Sequence, residues 1–397
     1  MRYHDFGRTG CRVSVLGFGC MRLPVQDPRK PTDFFDPNKR IDEEKAVDLI
    51  RYAIDRGVNY FDTAYVYHSG KSERLLGKAL SGRRERVYLA TKLPHWMAKE
   101  REDFERILEE QLLRLGTDFV DFYLLHGLGQ ESWQRMKEMR AVEFLERMRG
   151  EGKVRFLGFS FHDELRIFKE IVDAHAWDCC LIQQNYYDRN YQAGLEGLEY
   201  AAARGLGVAI MEPLRGGRLA QRIPGEVQQI WDSWPQPRSA AEWALRWVWN
   251  HPGVSTVLSG MNSREQLEEN LRVAEEAVPG SLSREELALI DRVTQAYRKL
   301  LKVDCTSCAY CLPCPQGVNI PHNFTLYNDL FAFRAPESSL MIYQRMTAPE
   351  QRASNCIACG ECEKKCPRQI PIAREMKRVD EALGGRGNAG PPLNPEG

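Results

Sequence analysis

The chain has 397 residues, 43% of them hydrophobic and 28% charged, which supplies a sizeable core and excludes wholesale disorder. Lys+Arg and Asp+Glu number 55 each, so the formal net charge is zero and no global basic excess addresses nucleic acid or an anionic membrane. No apolar run approaches the roughly 20 residues of a membrane helix, and the opening MRYHDFGRTG lacks the apolar core of a signal peptide, so a cytoplasmic chain is expected.

Residues 2–15 read as an opening hairpin and 15–19 as a strand end. Residues 43–56 have helical spacing, with Val47, Ile50, Ala53 and Ile54 on one face, and Gly57 stops them. Seven more short apolar runs follow, at 58–64, 87–93, 119–126, 154–160, 179–187, 207–213 and 254–260. Helical segments fill the gaps, among them 102–115, 135–149, 163–174, 239–250 and 263–277, with a further helix at 283–301. Gly57, Gly116, Gly152, Gly205 and Gly253 each stand just before a strand, as helix stops or turns would.

The strands alternate little, which is how strands covered on both faces read. Eight βα units within about 260 residues fit a TIM (β/α)8 barrel. A doubly wound sheet would want a glycine-rich dinucleotide loop after the first strand. Gly17-Phe18-Gly19-Cys20-Met21-Arg22 starts that way, but Arg22 holds the third glycine position, and the match is rejected.

In a barrel, polar residues at the C-terminal ends of strands face the active site. The second strand ends in Asp62, the third in Lys92 and the fourth in His126; Tyr67 lies on the loop after Asp62. Each alone has a structural explanation, as a cap, a solvated amine or a core imidazole. Together, at consecutive strand ends, they suit proton transfer to a carbonyl. A nearby ammonium is expected to lower the phenol of Tyr67 from about 10 so that it exchanges a proton near neutral pH. Asp62 would pair with Lys92, and His126 would orient the carbonyl oxygen.

These residues carry a resemblance. GFGCMRLP (17–24), FDTAYVYHSGKSE (61–73), ATK (90–92), LLH (124–126), GFS (158–160), IQQNYYD (182–188) and EQLEEN (265–270) resemble the aldo/keto reductases over about residues 1–300. The resemblance implies NAD(P)H-dependent carbonyl reduction, with Asp62, Tyr67, Lys92 and His126 as the tetrad and Tyr67 as general acid. It implies that Ser160 and Gln183 hold the nicotinamide carboxamide. Gln266, Glu269 and Asn270 would serve the adenosine end. Further cofactor contacts are expected from Gly19, Cys20, Met21, Met211, Pro213, Leu214 and Arg264. The chain departs from the family at Phe161 after Ser160, at Met211 where many members have Tyr, and at Gly260 and Gln266 where many have Lys and Arg. NADP and NAD therefore both stay open.

Twelve cysteines are unevenly spread. Cys11, Cys20, Cys179 and Cys180 read as packing residues, with Cys20 near enough to the first strand end to approach a cofactor. The other eight fall between Cys305 and Cys366, and dense cysteine in a chain with no sign of secretion points to metal. The runs are Cys305-x2-Cys308-x2-Cys311-x2-Cys314-Pro315 and Cys356-x2-Cys359-x2-Cys362-x3-Cys366-Pro367. The second has bacterial ferredoxin spacing, in which the fourth cysteine ligates the other cluster. One [4Fe–4S] cluster would then take Cys305, Cys308, Cys311 and Cys366, the other Cys356, Cys359, Cys362 and Cys314. Structural zinc usually takes two separated pairs instead. The segment resembles the two-cluster bacterial ferredoxins, and the fusion is similar to the iron–sulfur branch of the aldo/keto reductases.

The expected organisation is α/β: a barrel over 1–300, a ferredoxin-like domain over 301–380 and a disordered tail over 381–397. Trp231, Trp234, Trp243, Trp247 and Trp249 read as packing or a pocket wall, and Arg215-Gly216-Gly217-Arg218 as a plain loop or a phosphate contact. The leading expectation is an oxidoreductase for a small carbonyl or alcohol, with the clusters as an electron route and a possible redox protein partner. Nicotinamide moves two electrons and a cluster one, so direct exchange usually needs a flavin, and no flavin motif is seen. The alternatives are an electron-transfer subunit and a reductase with purely structural clusters.

Overall fold

The structure is a computed structural model that describes residues 1–29 and 39–385. Two short strands, β1 (Tyr3–Asp5) and β2 (Arg12–Ser14), pair antiparallel. Eight parallel strands then close a barrel: β3 (Leu16–Gly19), β4 (Tyr60–Asp62), β5 (Tyr88–Leu93), β6 (Val120–Leu128), β7 (Val154–Phe161), β8 (Cys179–Gln183), β9 (Gly207–Met211) and β10 (Thr256–Ser259). Helices α1 (Glu43–Asp55), α2 (Lys71–Leu80), α3 (Glu102–Leu115), α4 (Gln130–Glu138), α5 (Ala141–Gly150), α6 (Leu165–Ala174) and α7 (Gly194–Ala203) follow β3 to β8. Then come α8 (Gly225–Asp232) and α9 (Ala240–Trp249) between β9 and β10, and α10 (Arg264–Glu275) and α11 (Arg284–Lys299). The single helix expected at 135–149 is two, because Arg140 takes a left-handed φ of 56° between α4 and α5.

Inside the barrel, alternate side chains stack in layers. Phe6 lies edge-on to Phe122 at 4.7 Å and 5.3 Å from Tyr60, so the hairpin loop inserts an aromatic ring into the barrel core. The loop needs Gly7 there: its φ is +56°, and a Cβ would stand 2.3 Å from the Gly207 nitrogen. Gly158 is equally constrained, since a Cβ would meet the Cys179 sulfur at 2.5 Å. Cys11, Cys20, Cys179 and Cys180 are all buried, and Trp243, Trp247 and Trp249 pack in the core from α9. Trp249 also donates from Nε1 to the Val15 carbonyl at 2.9 Å.

The chain divides into two compact units. Among the described residues, one comprises 1–29, 39–216 and 238–286; the other includes 217–237 and 287–385. The excursion 217–237, counted with the barrel on sequence, thus groups with the C-terminal segment. That unit contains α12 (Ile320–Ala332), α13 (Pro336–Met341) and α14 (Ile372–Leu383). Its core includes Phe324, Leu330, Tyr343, Met376, Val379 and Leu383, with cysteines packed against it. Of the disordered tail expected over 381–397, only residues 381–385 are among the described ones. Met376, Val379 and Leu383 repeat at helical spacing and carry α14 to Leu383, and residues 386–397 lie outside the described ones. Among the described residues no helix is long and apolar enough to cross a membrane.

Candidate active site

Asp62 ends β4 and Lys92 is the fifth residue of β5. Parallel register sets Asp62 beside Ala90, two residues before Lys92. The Lys92 ammonium donates to Asp62 Oδ1 at 2.6 Å and to the Thr63 carbonyl at 2.7 Å, with 1% of its side chain and 4% of that of Asp62 exposed. Burial acts against the charge on Lys92, but the Asp62 carboxylate overrides it and holds the amine charged. The same nitrogen lies 5.0 Å from the centre of the Tyr67 ring, and the His126 ring lies 6.1 Å from that ring, nearly perpendicular to it. All four groups therefore meet at the C-terminal ends of the strands.

Tyr67 differs from expectation in one respect. Burial raises its phenol above the ordinary value, and the opposing charge and hydrogen bond of Lys92 only partly offset this. A dry, crowded site disfavours a phenolate more than one ammonium, itself shared with Asp62, favours it. His126 moves far down, first through burial and then through the Lys92 ammonium and the His162 and His95 imidazoles, so it is neutral at neutral pH. Its Nδ1 is buried with no protein partner.

The loop carrying Tyr67 is pinned by a residue that sequence reasoning passed over. His68, at φ 51°, accepts at Nε2 from the Leu23 N–H at 3.1 Å. Its titration is lowered to about 4, by burial first and then by Lys71, which keeps the imidazole an acceptor.

The expected cofactor residues fall into three groups. Gly19, Cys20 and Met21 lie where β3 ends; Met21 is exposed, whereas the Cys20 thiol is wholly buried and burial pushes its titration up. Ser160 Oγ accepts from the Gly127 N–H at 2.7 Å, which leaves its own hydrogen free to donate. Phe161, beside it, is buried against Phe168 at 5.2 Å. Gln183, at the end of β8, is 3% exposed, and neither its amide oxygen nor its nitrogen has a partner. Met211 ends β9, followed by Pro213 and Leu214. At the third group, the start of α10, Ser263 caps the Gln266 N–H and the Gln266 side chain accepts from the Asn262 N–H at 3.0 Å. Asn270 donates to Ser259 Oγ at 3.0 Å, and Glu269 is half-buried. Arg264 pairs with Glu268 at 3.0 Å. In the 215–218 loop, Arg215 is committed to Asp188 at 2.7 Å, and Arg218 to Asp329 at 3.1 Å.

The eight cysteines of the C-terminal unit border two spaces. The first, about 330 Å³, is lined by Cys305, Cys308, Cys311 and Cys366, with Phe324, Ile370 and Ile372 behind them. The second, about 320 Å³, is lined by Cys314, Cys356, Cys359 and Cys362. Ile320 borders both. Among the described residues no three His, Cys, Asp or Glu side chains converge at the reach of a single metal ion. The eight thiols thus fall into two sets of four, one bordering each space.

Two asparagines on α12 set the entry to each cysteine run, and no sequence signal marked them. Asn328 accepts from the Lys302 and Val303 N–H groups at 2.9 Å each and donates to the Val303 carbonyl at 2.8 Å. Asn323 accepts from the Ala353 N–H at 3.0 Å and donates to the Gln351 carbonyl at 2.8 Å. Asn328→Ala strands three backbone groups and is expected to cost about 1–3 kcal/mol of stability. Thermal unfolding checks this; a loss within error would mean water satisfies them.

The model of the aldo/keto reductase family matches residues 15–295, and that of a 4Fe-4S dicluster domain matches 304–370. An uncharacterised oxidoreductase, YqkF of Bacillus subtilis, is 26% identical over 69% of this chain and 91% of its own length. L-galactose dehydrogenase of Arabidopsis thaliana is 29% identical over 74% and 94%. Among solved structures, the holo form of an aldo-keto reductase from Bacillus halodurans is similar at a TM-score of 0.61, with 28% identity over 74% of this chain and 96% of that one. An aldo-keto reductase from Klebsiella pneumoniae in complex with NADPH is similar at 0.59, with 25% identity over the same shares. The chain belongs to the aldo/keto reductase family and carries a C-terminal 4Fe-4S dicluster domain. It is an NAD(P)-dependent oxidoreductase.

Proposed function

We propose that the barrel reduces a carbonyl compound, or oxidises the corresponding alcohol, with NADPH or NADH, and that two [4Fe–4S] clusters provide an electron route. The observation that carries the reading is Gln183. A buried amide with both ends unpartnered is costly unless a ligand completes it, and a nicotinamide carboxamide offers a matching donor and acceptor. Ser160 has a hydrogen to give the same group. When bound, the nicotinamide supplies or takes the hydride. Tyr67 gives the proton to the carbonyl oxygen, His126 donates a hydrogen bond to that oxygen, and Lys92, held by Asp62, stabilises the phenolate left behind.

The residues of the C-terminal unit fit two cubic clusters, one held by Cys305, Cys308, Cys311 and Cys366, the other by Cys314, Cys356, Cys359 and Cys362. Such clusters supply one-electron transfer when present. The two four-thiol spaces support this division, although Cys314 stands one residue closer to its run than ferredoxin spacing has it.

The test is anaerobic. NADPH or NADH is mixed with cluster-loaded protein, and the visible cluster absorbance is followed with and without a carbonyl compound. With free flavin added as the two-to-one-electron intermediary, bleaching is the expected result, the two electrons of one hydride passing singly to two clusters and its proton to solvent. Carbonyl turnover with unchanged absorbance would reduce the clusters to structural parts. Bleaching by a reduced protein partner, with no carbonyl turnover, would favour the electron-transfer subunit.

A further inference from the structure

The two cysteine spaces differ in the charge at their edges. Residues 303–317, which hold the first run, include one charged side chain, Asp304, and it pairs with Arg368. The chain beside the second space is basic. From Glu361 to Arg378 there are six Lys and Arg against three Glu. Glu375 is buried and shared by Arg374 and Arg378. Glu363 is half-buried and accepts from the Ala373 N–H at 2.8 Å. Only Glu361 of the three is exposed, and it pairs with Lys364 at 2.7 Å. Lys365 and Lys377 are exposed and make no ion pair among the described residues.

These cations gather at one edge. The bond from Ala373 to Glu363 ties the 363–365 turn to the first turn of α14. Ala373 itself lines the second space, and Lys377 stands one helical turn after it on the same face. Lys364 and Lys365 closely follow Cys362, which lines that space as well. Lys364 is near enough to Cys359 for their charges to interact. The same space is bordered by Ile357, Ala358 and Cys359, all exposed, Ile357 by 63%. Its outer edge is thus an apolar centre around an exposed cysteine, with cations alongside.

Encounters that pass single electrons use small interfaces, with an apolar centre for contact and opposite charges for approach. Excess cation on this side calls for excess carboxylate on the other. The apolar centre fits a protein surface rather than a phosphate backbone, and the chain as a whole has no basic excess.

We propose that the edge formed by Ile357, Ala358 and Cys359, with Lys364, Lys365 and Lys377 beside it, docks an acidic one-electron carrier protein. The proposal rests on the electron-route reading and names its point of entry. One electron passes from the reduced carrier to the group held by Cys314, Cys356, Cys359 and Cys362. No bond forms or breaks, and no proton moves.

The test titrates the full chain, clusters loaded, with an oxidised acidic [2Fe–2S] ferredoxin of the plant type and reads binding by calorimetry. Binding is expected at about 20 mM salt and should weaken about tenfold or more at about 300 mM. Lys365→Glu with Lys377→Glu should weaken it about tenfold at low salt, and the corresponding pair of Gln substitutions less. Lys302→Glu, at the entry to the first run, should stay within about threefold of the parent. The visible cluster spectrum checks that each variant is loaded, and stopped-flow mixing with the reduced ferredoxin reads electron transfer. No binding, or equal binding by the parent and the Glu pair, would overturn the docking site. So would a preference for cytochrome c, a basic carrier, or tighter binding of a DNA duplex that the Glu pair abolishes. Binding that depends on Lys365 and Lys377 with no electron exchanged would sink the electron-route reading and leave the docking surface standing. Electron exchange at a rate indifferent to both lysines would sink the docking surface and leave the route.

Discussion

Tyr67→Phe is expected to lower kcat for carbonyl reduction by about 10²–10⁴-fold, the usual range for removing a positioned proton donor. The ring remains beside Lys92 and His126, so cofactor affinity should hold, and a fluorescence titration of NADPH separates the two effects. Burial raises the Tyr67 phenol, and Lys92 opposes that only in part. An acid with a raised value stays protonated up to a higher pH. Reduction needs the phenol, so it should persist through neutral pH and fall only above the ordinary tyrosine range of about 10. Alcohol oxidation needs the phenolate and should climb as pH rises toward that range. His126 is lowered well below its ordinary value, so it is neutral across the same span and contributes no limb there. Steady-state kcat/KM in both directions checks the signs. A falling limb for reduction near pH 7 that Tyr67→Phe abolishes would mean that the bound cofactor or substrate reverses the effect of burial.

The readable part of this molecule is the part built from local periodicity. Short apolar runs parted by helical ones gave eight strands at nearly their observed places, and reading the last polar residue of each run led to Asp62, Lys92 and His126. The cysteine runs were legible because cluster-binding loops are local, and the two spaces divide the thiols into the same two sets that spacing suggested. What stayed hidden depends on long-range company. Trp96, in LPHWM, has no pattern that sets its ring beside that of His126, 5.0 Å away. Asn323 and Asn328 look like ordinary polar residues on a helix, yet they clamp chain segments 25 to 30 residues away in sequence. The break at Arg140 has no glycine or proline to announce it. The burial that reverses the expectation for Tyr67 is likewise a property of the assembled barrel.

Glu73 is the sharpest case of hidden company, and Glu73→Ala is expected to destabilise the protein by about 3–5 kcal/mol. Nothing in KSERLLG marks it as a buried residue, but it is fully buried. One carboxylate oxygen accepts from Thr91 Oγ1 and from Gln111 Nε2 at 2.7 Å each, and the other from Arg114 Nη1 at 3.2 Å. Gln111 also donates to the Lys92 carbonyl at 3.0 Å, and its oxygen accepts from the Tyr123 hydroxyl at 2.7 Å. Arg114 reaches the Tyr65 carbonyl at 3.2 Å, two residues before Tyr67. The network thus holds both the strand bearing Lys92 and the loop bearing Tyr67. Removing the carboxylate leaves the Gln111 amide and the Thr91 hydroxyl without their acceptor in the dry interior, at about 1–3 kcal/mol each, and leaves Arg114 with Glu110, at 2.5 Å, as its remaining carboxylate. Glu73→Gln keeps acceptor geometry and should lose less. The double change Glu73→Leu with Arg114→Met removes both buried charges, leaves the part-exposed Glu110 to water and the Tyr65 hydroxyl, and should recover part of the stability. Denaturant midpoints at constant slope measure all three. If Glu73→Ala and the double variant unfold together, packing rather than charge governs the site. If the double variant regains stability but not kcat, the network's second task is to position Tyr67, and the loop from Ala64 to Gly70 needs the Arg114 tether as much as the His68 one.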